Sequence, residues 1–378
     1  MRKILHCAVI ASSLSAGTAF AQSSVTLYGL LDTGFTYINK SGVGSQVAAQ
    51  SSDYFGDRFG FRGNEDLGSG MSALFVLENG FDPTNGKFTQ NGRMFGRQAY
   101  VGLSSRYGTV TLGRQYDFMV SMVGGTSASQ RFAGYIGARP GDIDADDGAY
   151  RNNNSVKYTG TYGNTTFGAM YAFGGVAGSI AQGSMYGAGV KYARGPLLLG
   201  AAFSEYRNPA QSIYDGTSPA ANGAYTNPLT SPINSGFSSA QRQQIFSSGA
   251  SYMIGKLTIG ATYSNIIYHN IIPTSSTVGY GSARFNAFEV TTDYQFAPDI
   301  RAGVAYSYTK SETARYNQVD TGLVYSLSKR TSLYGAVIYQ HASGRDSTGK
   351  LAVAQVTLMS PSSTPSQVVV HAGIIHLF

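Results

Sequence analysis

The sequence predicts an all-β fold, a sixteen-stranded antiparallel transmembrane β-barrel whose third loop folds inward. Three observations predict it. Apolar and polar residues alternate in many short segments, the connections between these segments are alternately short and long, and residues 116–150 form a connection of some 35 residues with no helical or strand periodicity. Such an insertion suits a compact fold only if the surrounding strands enclose a space that can hold it.

The first 21 residues have the features of a secretory signal peptide. Arg2 and Lys3 give a charged start, an apolar stretch follows, and Ala19-Phe20-Ala21 matches the small-x-small pattern of a cleavage site. Without these two basic residues, the chain has 25 basic and 20 acidic side chains, which gives a formal net charge of +5. We therefore expect an exported chain with one barrel domain over residues 22–378.

The composition favours a membrane barrel over a secreted soluble β-protein. The chain has 48 Gly, 27 Tyr, 20 Phe, no Trp and only 12% charged residues, and its one cysteine, Cys7, lies in the signal peptide. A barrel in lipid needs apolar and aromatic side chains outside and polar ones inside, so the two faces cancel in any average. No other apolar run approaches the roughly 20 residues of a membrane helix.

Alternation is clear in residues 256–264, where Leu257, Ile259 and Tyr263 share one face and Thr258, Thr262 and Ser264 share the other. The same pattern occurs in three further segments: 155–162, 301–309 and 318–328. A β-sandwich would alternate too, but it would not need an aromatic residue near so many strand ends. Tyr and Phe favour that position at a membrane–water boundary.

Sixteen segments alternate in this way and are predicted strands: 25–38, 54–65, 70–80, 93–104, 108–115, 152–161, 164–173, 184–193, 196–206, 245–254, 256–267, 283–296, 299–309, 316–327, 331–341 and 366–378. Seven short connections alternate with eight longer ones, which are 39–53, 81–92, 116–151, 174–183, 207–244, 268–282, 310–315 and 342–365. Short turns on one side and long loops on the other are typical of an up-and-down barrel. The strand-like segment 350–359 is assigned to the last loop, because seventeen strands would separate the termini.

Several motifs occur in a fixed order along the chain: Val25-Thr-Leu-Tyr-Gly, Arg58-Phe-Gly-Phe-Arg-Gly-Asn-Glu-Asp-Leu-Gly, Phe95-Gly-Arg-Gln-Ala-Tyr-Val-Gly-Leu, Tyr107-Gly-Thr-Val-Thr-Leu-Gly-Arg-Gln-Tyr and the terminal Phe378. With these motifs the chain after the signal peptide resembles the trimeric general-diffusion porins of Gram-negative outer membranes, and most closely their β-proteobacterial group. The resemblance implies a sixteen-stranded barrel, a constriction loop at 116–151 in the lumen, and a homotrimer in outer-membrane lipid and lipopolysaccharide.

The sequence departs from the family pattern at two places. Leu30 occupies a first-strand position that is basic in the enteric porins. Ile375 and Leu377 fall on the alternate positions of the last strand that are assigned to the lumen face, where polar or basic residues are expected.

Because alternate residues of a strand point to opposite faces of the sheet, the alternation predicts a group of basic side chains on the lumen wall. They are Arg58, Arg62, Arg93 and Arg97. The placement of Arg97 assumes that Gln98 and Tyr100 face lipid. By resemblance, Arg58 and Arg97 match wall positions of the basic cluster opposite the inserted loop. Candidate carboxylates are Asp32 and Glu78 on the wall, together with the loop residues Asp142, Asp144, Asp146 and Asp147.

Opposite charges on wall and loop would set up a transverse field at the narrowest cross-section, where low-dielectric walls focus it. The sequence does not fix which loop acids reach the lumen, and the others would cap turns. From the four arginines we expect mild anion preference, which the carboxylates would reverse if they dominated.

Two motifs are misleading. The run Asp142-Ile-Asp144-Ala-Asp146-Asp147-Gly148 begins like an EF-hand, but its glycine comes one place late and Asn153 stands where the bidentate Glu is required. Gly68-Ser-Gly70-Met-Ser-Ala73 imitates a dinucleotide fingerprint, yet the following residues alternate as a strand. We expect no cofactor, no structural metal site and no nucleic-acid partner.

An outer-membrane hydrolase is the main alternative in another class. Outside the signal peptide the histidines are His269, His341, His371 and His376, and none has an obvious Ser–acid companion or metal-ligand spacing. A solute-specific channel would need aromatic residues along the lumen, whereas Tyr and Phe mostly fall on the predicted lipid face. We therefore expect no enzyme, but an outer-membrane channel for passive diffusion of small hydrophilic solutes and ions.

Overall fold

Seventeen strands follow one another along the chain. They are β1 Ser24–Ser41, β2 Gly44–Ser51, β3 Arg58–Gly68, β4 Met71–Gly80, β5 Gln98–Ser105, β6 Gly108–Tyr116, β7 Arg151–Tyr162, β8 Thr165–Ala172, β9 Met185–Arg194, β10 Leu197–Arg207, β11 Ala240–Ile254, β12 Leu257–Ile271, β13 Gly281–Ala297, β14 Ile300–Lys310, β15 Ala314–Ser326, β16 Thr331–Gly344 and β17 Ser366–Leu377. The two α-helices, α1 Met119–Met122 and α2 Pro209–Ser212, are single turns.

The structure, a computed structural model, describes residues 24–378 except 149, 219–224, 276 and 278–280. The predicted signal peptide, residues 1–21 with Cys7, lies outside these described residues. Nowhere in the described ranges is a helix both long and apolar enough to cross a membrane.

Antiparallel pairing closes the sheet into a barrel. From β3 to β17 each strand pairs with the next along the chain, and β17 pairs with β1 with Leu377 opposite Leu30. On its other edge β1 pairs with β3 over its first half and with β2 over its second half. The prediction of sixteen wall strands is confirmed, each overlapping a predicted segment.

Strand β2 is an addition that the alternation did not predict. It lies within the predicted loop 39–53 and its sequence, GSQVAAQS, has too little apolar alternation to be recognised. The segment 350–359 contains no extended strand, as expected, and folds over the lumen instead. There Thr357 Oγ1 donates to the carbonyl oxygens of Ala138 and Arg139, both at 3.3 Å.

The two faces of the wall differ as predicted. Val304 of β14 and Leu323 of β15 are about half exposed on the outside, at 48% and 49%. Their inward neighbours Ser307 and Gln318 are buried. The outer surface is therefore apolar while the lumen wall carries polar side chains, as a barrel in lipid requires.

Residues 117–150, which connect β6 and β7, fold into the barrel as predicted; we call them the inserted loop. At its start Phe118 and Met122 pack in a buried cluster with Ala202 of β10. Further along, Phe132 and Ile136 pack in a second buried cluster with wall residues of β14 and β16. The loop thus covers much of the inner wall from β8 to β16.

Glycines on the inner wall allow this close packing. A Cβ atom at Gly322 of β15 would lie 2.8 Å from the carbonyl carbon of Phe132, and one at Gly200 of β10 would lie 2.8 Å from that of Met122. Ordinary contacts between carbon atoms are about 3.5–4.0 Å. Any larger residue at either position would therefore force the inserted loop to move away from the wall at that point.

A polar network on the wall supports the inserted loop from the other side. Asp32 of β1 accepts hydrogen bonds from the backbone N–H groups of Tyr54 and Phe55, both at 2.8 Å. The carbonyl oxygen of Tyr54 in turn accepts a 3.0 Å bond from the N–H of Tyr135 in the loop. Tyr334 also donates its hydroxyl to Asp32. This chain of bonds fixes the loop relative to β1.

Candidate functional site

Two large cavities meet inside the barrel. The outer cavity, about 430 Å³, is lined by long-loop residues such as Gln90, Ser231 and Leu358. The inner cavity, about 690 Å³, lies on the side of the short turns and is lined by residues such as Tyr28 and Phe378. Four residues line both cavities: Arg97, Tyr135, Asp147 and Gly148. We call these four residues the neck.

Arg97 is held on the wall side of the neck. Its Nε lies 2.9 Å from Oε1 of Glu78, and its backbone N–H donates to the Glu78 carbonyl oxygen at 3.2 Å. Tyr28 donates its hydroxyl to the other Glu78 oxygen at 3.0 Å. Because both charged side chains are about 95% inaccessible, their positions are fixed by these bonds.

The assumption that Gln98 and Tyr100 face lipid is wrong. Gln98 lies opposite Glu78 and Tyr100 lies opposite Val76, so all four share the lumen face, and it is Val101 that faces outward. Strand β5 begins only at Gln98, five residues later than predicted. Arg97 reaches the lumen because it precedes the strand, where strict alternation does not apply.

Arg58 and Arg62 lie on the lumen side of β3 and line the inner cavity. The Arg62 guanidinium lies over the ring of Tyr28, 5.3 Å from its centre, and Arg58 donates to the Gly56 carbonyl oxygen at 3.1 Å. Within the described part of the chain neither arginine has a carboxylate within ion-pair distance. They therefore contribute positive potential to the inner cavity without direct neutralisation.

Arg93 lies away from the neck. It belongs to the loop between β4 and β5, and its Nη1 lies 2.7 Å from Oδ2 of Asp215 in another long loop. The two side chains are 35% and 26% exposed and line neither cavity. This contact ties two outer loops together.

The loop carboxylates divide into two groups. Asp144 and Asp146 pair with Arg139, which also reaches Glu289 of β13 at 3.2 Å, and all of these side chains are almost completely buried. Asp142 and Asp147 instead line the outer cavity. The first group fixes the fold of the inserted loop, whereas the second borders the open space of the outer cavity.

Burial alters the ionisation of the second group. It raises the pKa of Asp147 to about 7, although hydrogen bonds from Ser129 and Gln130 lower it in part. It also raises the pKa of Asp142 well above its usual value, and the neighbouring Asp147 carboxylate adds to this effect. At neutral pH these two carboxyl groups therefore carry less negative charge than the sequence suggests.

The wall carboxylates also differ in position. Glu78 lines the inner cavity beside Arg97, whereas Asp32 is buried in the network that holds Tyr54 and Phe55 and lines neither cavity. Asp32 therefore supports the segment that holds the inserted loop rather than lining either cavity.

Two features of the lumen were not among the candidate residues. Arg301 of β14 borders a third cavity below the neck. The alternation of segment 301–309 indicates its lumen face, because Arg301 opposes Ala302 and Val304 in that pattern. Aromatic side chains also reach the lumen, where Tyr100, Tyr116 and Tyr135 line the inner cavity. Tyr135 lies in the loop, where no periodicity could have indicated its direction.

Among the residues that the structure describes, no group of three or more His, Cys, Asp or Glu side chains is arranged to hold a metal ion.

Comparisons with known proteins agree on the family. Residues 7–345 match the family model described as Gram-negative porin. The chain is 29% identical to outer membrane porin protein 32 of Delftia acidovorans, with 100% of this chain and 99% of that protein covered. It is also 29% identical to an outer membrane porin protein of Bordetella pertussis, covering 88% and 93% respectively. A solved structure, the anion-selective porin from Comamonas acidovorans, matches with a TM-score of 0.72 at 23% identity, covering 94% of this chain and 100% of that one.

Proposed function

Because the chain belongs to the Gram-negative porin family, we propose that its neck is the section of an outer-membrane diffusion channel that sets size limit and ion preference. The protein is an outer-membrane porin, and small hydrophilic solutes and ions pass through its water-filled lumen without a covalent step. The observation that carries the proposal is that Arg97 and Asp147 border both cavities, one on the wall and one on the inserted loop.

The charge balance along the lumen supports mild anion preference. Arg58, Arg62 and Arg301 line the cavities below the neck, and in the described chain none of them has an ion-pair partner. Glu78 is paired with Arg97, and Asp147 has a pKa of about 7. The lining near the neck therefore has positive net charge at neutral pH, which raises the local concentration of anions.

Size exclusion follows from the same arrangement. The inserted loop packs on much of the wall from β8 to β16, so at the neck the solute path runs along β1 and β3 to β6, and below the neck it widens towards Arg301 of β14 and Val324 of β15. Fixed charges across a narrow, low-dielectric section orient dipolar solutes as they pass. Arg58, Arg62 and Arg97 on the wall, with Asp142, Asp147 and Glu78, are the residues to which we assign this role.

We also propose that the protein is a homotrimer, contacts lipid and lipopolysaccharide, and has no enzymatic activity. A structure of OmpT of Vibrio cholerae that shares this fold is described as a trimer form. The mass of the protein in detergent, measured by light scattering, tests the assembly. A monomeric mass would contradict it.

Reconstitution into planar lipid bilayers tests the channel itself. We expect stepwise conductance, and under a tenfold KCl gradient a reversal potential of the sign that chloride preference gives. A reversal potential of the opposite sign would refute anion preference, and a folded protein that gives no conductance would refute the channel.

A further inference from the structure

The lumen wall below the neck contains a continuous group of apolar side chains. We call it the apolar strip and define it by four residues: Leu30, Val324, Ile375 and Leu377. Leu30 and Ile375 are nearly inaccessible and cluster with Tyr54 and Tyr334, and Val324 and Phe55 pack against this cluster. The lumen of a porin-type barrel is ordinarily polar. An apolar strip there requires an explanation.

Strand register shows that the strip spans several strands. Leu377 of β17 lies opposite Leu30 of β1, and Ile375 is on the same face two residues earlier. Val324 of β15 lies opposite Tyr334 of β16, which belongs to the same cluster. Directly opposed residues of neighbouring strands point to the same side of the sheet. The strip is therefore one surface and not a set of isolated apolar residues.

An arginine lies at each end of the strip. Arg301 is directly opposite Val324, and Arg58 is directly opposite Leu30. Neither guanidinium has a carboxylate within 4 Å in the described chain. Each arginine can therefore accept an anionic partner while its neighbours offer apolar contact.

The strip and both arginines border one cavity of about 480 Å³, which Phe55 and Tyr135 also line. This volume lies within the range of about 300–1,000 Å³ that is usual for small-molecule sites. The cavity lies below the neck, because Leu30, Arg58 and Leu377 line both this cavity and the inner cavity. A solute that has passed the neck reaches it directly.

We propose that this cavity is a weak binding subsite for organic anions that combine one carboxylate with an apolar or aromatic body. The guanidinium of Arg301 or Arg58 binds the carboxylate, because the geometry of the two groups allows two parallel hydrogen bonds. The apolar body covers Val324 and the exposed part of Phe55, so that apolar surface leaves water on both partners. The proposal rests on the diffusion function and adds a substrate class to it.

Ion current through single channels can measure this binding. Benzoate is the probe, and nicotinate is its control, since it has the same size and charge but a more polar ring. At pH 7.5 in KCl, we expect benzoate to reduce the chloride current in a saturable way at lower concentration than nicotinate. Benzyl alcohol, which has no charge, should have no such effect.

Two pairs of variants locate the site. Arg301→Gln should raise the half-blocking benzoate concentration by about fivefold, the upper range for a partly exposed ion pair. Val324→Thr, which keeps the shape of the side chain and adds a hydroxyl, should raise it by about threefold. The controls alter residues that line the inner cavity but not this one. Arg62→Gln removes a lumen charge without touching the subsite and should raise the half-blocking concentration by less than about twofold, and Val76→Thr should leave it unchanged.

The outcomes separate this inference from the channel function. If chloride passes but benzoate shows no saturable effect, or blocks no better than nicotinate, the subsite is refuted while the channel stands. If the control variants weaken benzoate as much as Arg301→Gln does, the subsite is also refuted, because the effect then reflects general lumen charge. If no variant and no wild-type protein conducts chloride, the proposed function itself fails.

Discussion

The packing of the inserted loop on wall glycines gives a sharp test of the solute path. In the variant Gly322→Ala, the new Cβ would lie 2.8 Å from the Phe132 carbonyl carbon, with the carbonyl oxygen closer still. Since carbon atoms in contact lie about 3.5–4.0 Å apart, the loop backbone must move by about 1 Å. Overpacking of this kind typically costs about 1–3 kcal/mol.

The direction of the movement determines the effect on conductance. The wall is a hydrogen-bonded sheet, so the loop moves away from β15 and into the lumen, carrying Phe132 and the adjacent Tyr135 towards the solute path. We expect lower single-channel conductance and more current noise than in the wild type. A thermal unfolding curve measured in detergent should show a modestly lower midpoint.

The chain offers a matched control for this variant. A Cβ at Gly335 in the adjacent strand β16 would have its nearest neighbour at 3.8 Å, an ordinary contact. Gly335→Ala should therefore conduct as the wild type does. If Gly322→Ala also had wild-type conductance and noise, the inserted loop would not pack on β15 as described, and the reasoning would be refuted.

Three further predictions concern charged residues. Burial raises the pKa of Asp147 to about 7, so this carboxyl group is mostly protonated at pH 6 and mostly ionised at pH 8. Anion preference should therefore increase as the pH falls through 7. Asp147→Asn should reduce this pH dependence of the reversal potential, and an unchanged dependence would contradict the prediction. Arg62→Glu should shift the reversal potential towards cations without breaking an ion pair, and an unshifted value would remove Arg62 from the conducting path. Arg139→Gln leaves three buried carboxylates without their cation and should destabilise the loop by about 3–5 kcal/mol. Arg93→Gln breaks an exposed ion pair and should lower stability by less than about 1 kcal/mol. Protease cleavage within residues 117–150 measures that difference, and equal resistance of the two variants would contradict it.

The sequence predicted the wall well because one physical requirement acts on every strand. Each strand has lipid on one face and water or the inserted loop on the other, so residues such as Val304 and Ser307 alternate with the period of the chain itself. Strand β2, Gly44–Ser51, falls within the predicted loop 39–53 and has too little apolar alternation, so it was not predicted.

The site was less predictable because its geometry depends on residues far apart in sequence. Arg139 in the loop pairs with Glu289 of β13, a contact between residues 150 positions apart. No local pattern indicates that this pairing buries Asp144 and Asp146 and leaves Asp142 and Asp147 at the cavity. For Arg97 the lumen position was predicted from a strand start that lies five residues too early.

The position of the inserted loop has a consequence for how such a protein can change. Because the loop packs on much of the wall from β8 to β16, a large part of the barrel circumference lies behind the loop and serves as scaffold. The cavities at and below the neck are bordered by an arc around β1 and β3 to β6, by the loop edge that faces it and by a few residues of β14 to β17 near the short turns. A new preference could therefore evolve by exchanging a few side chains on that arc, while the scaffold side remained under selection for packing alone.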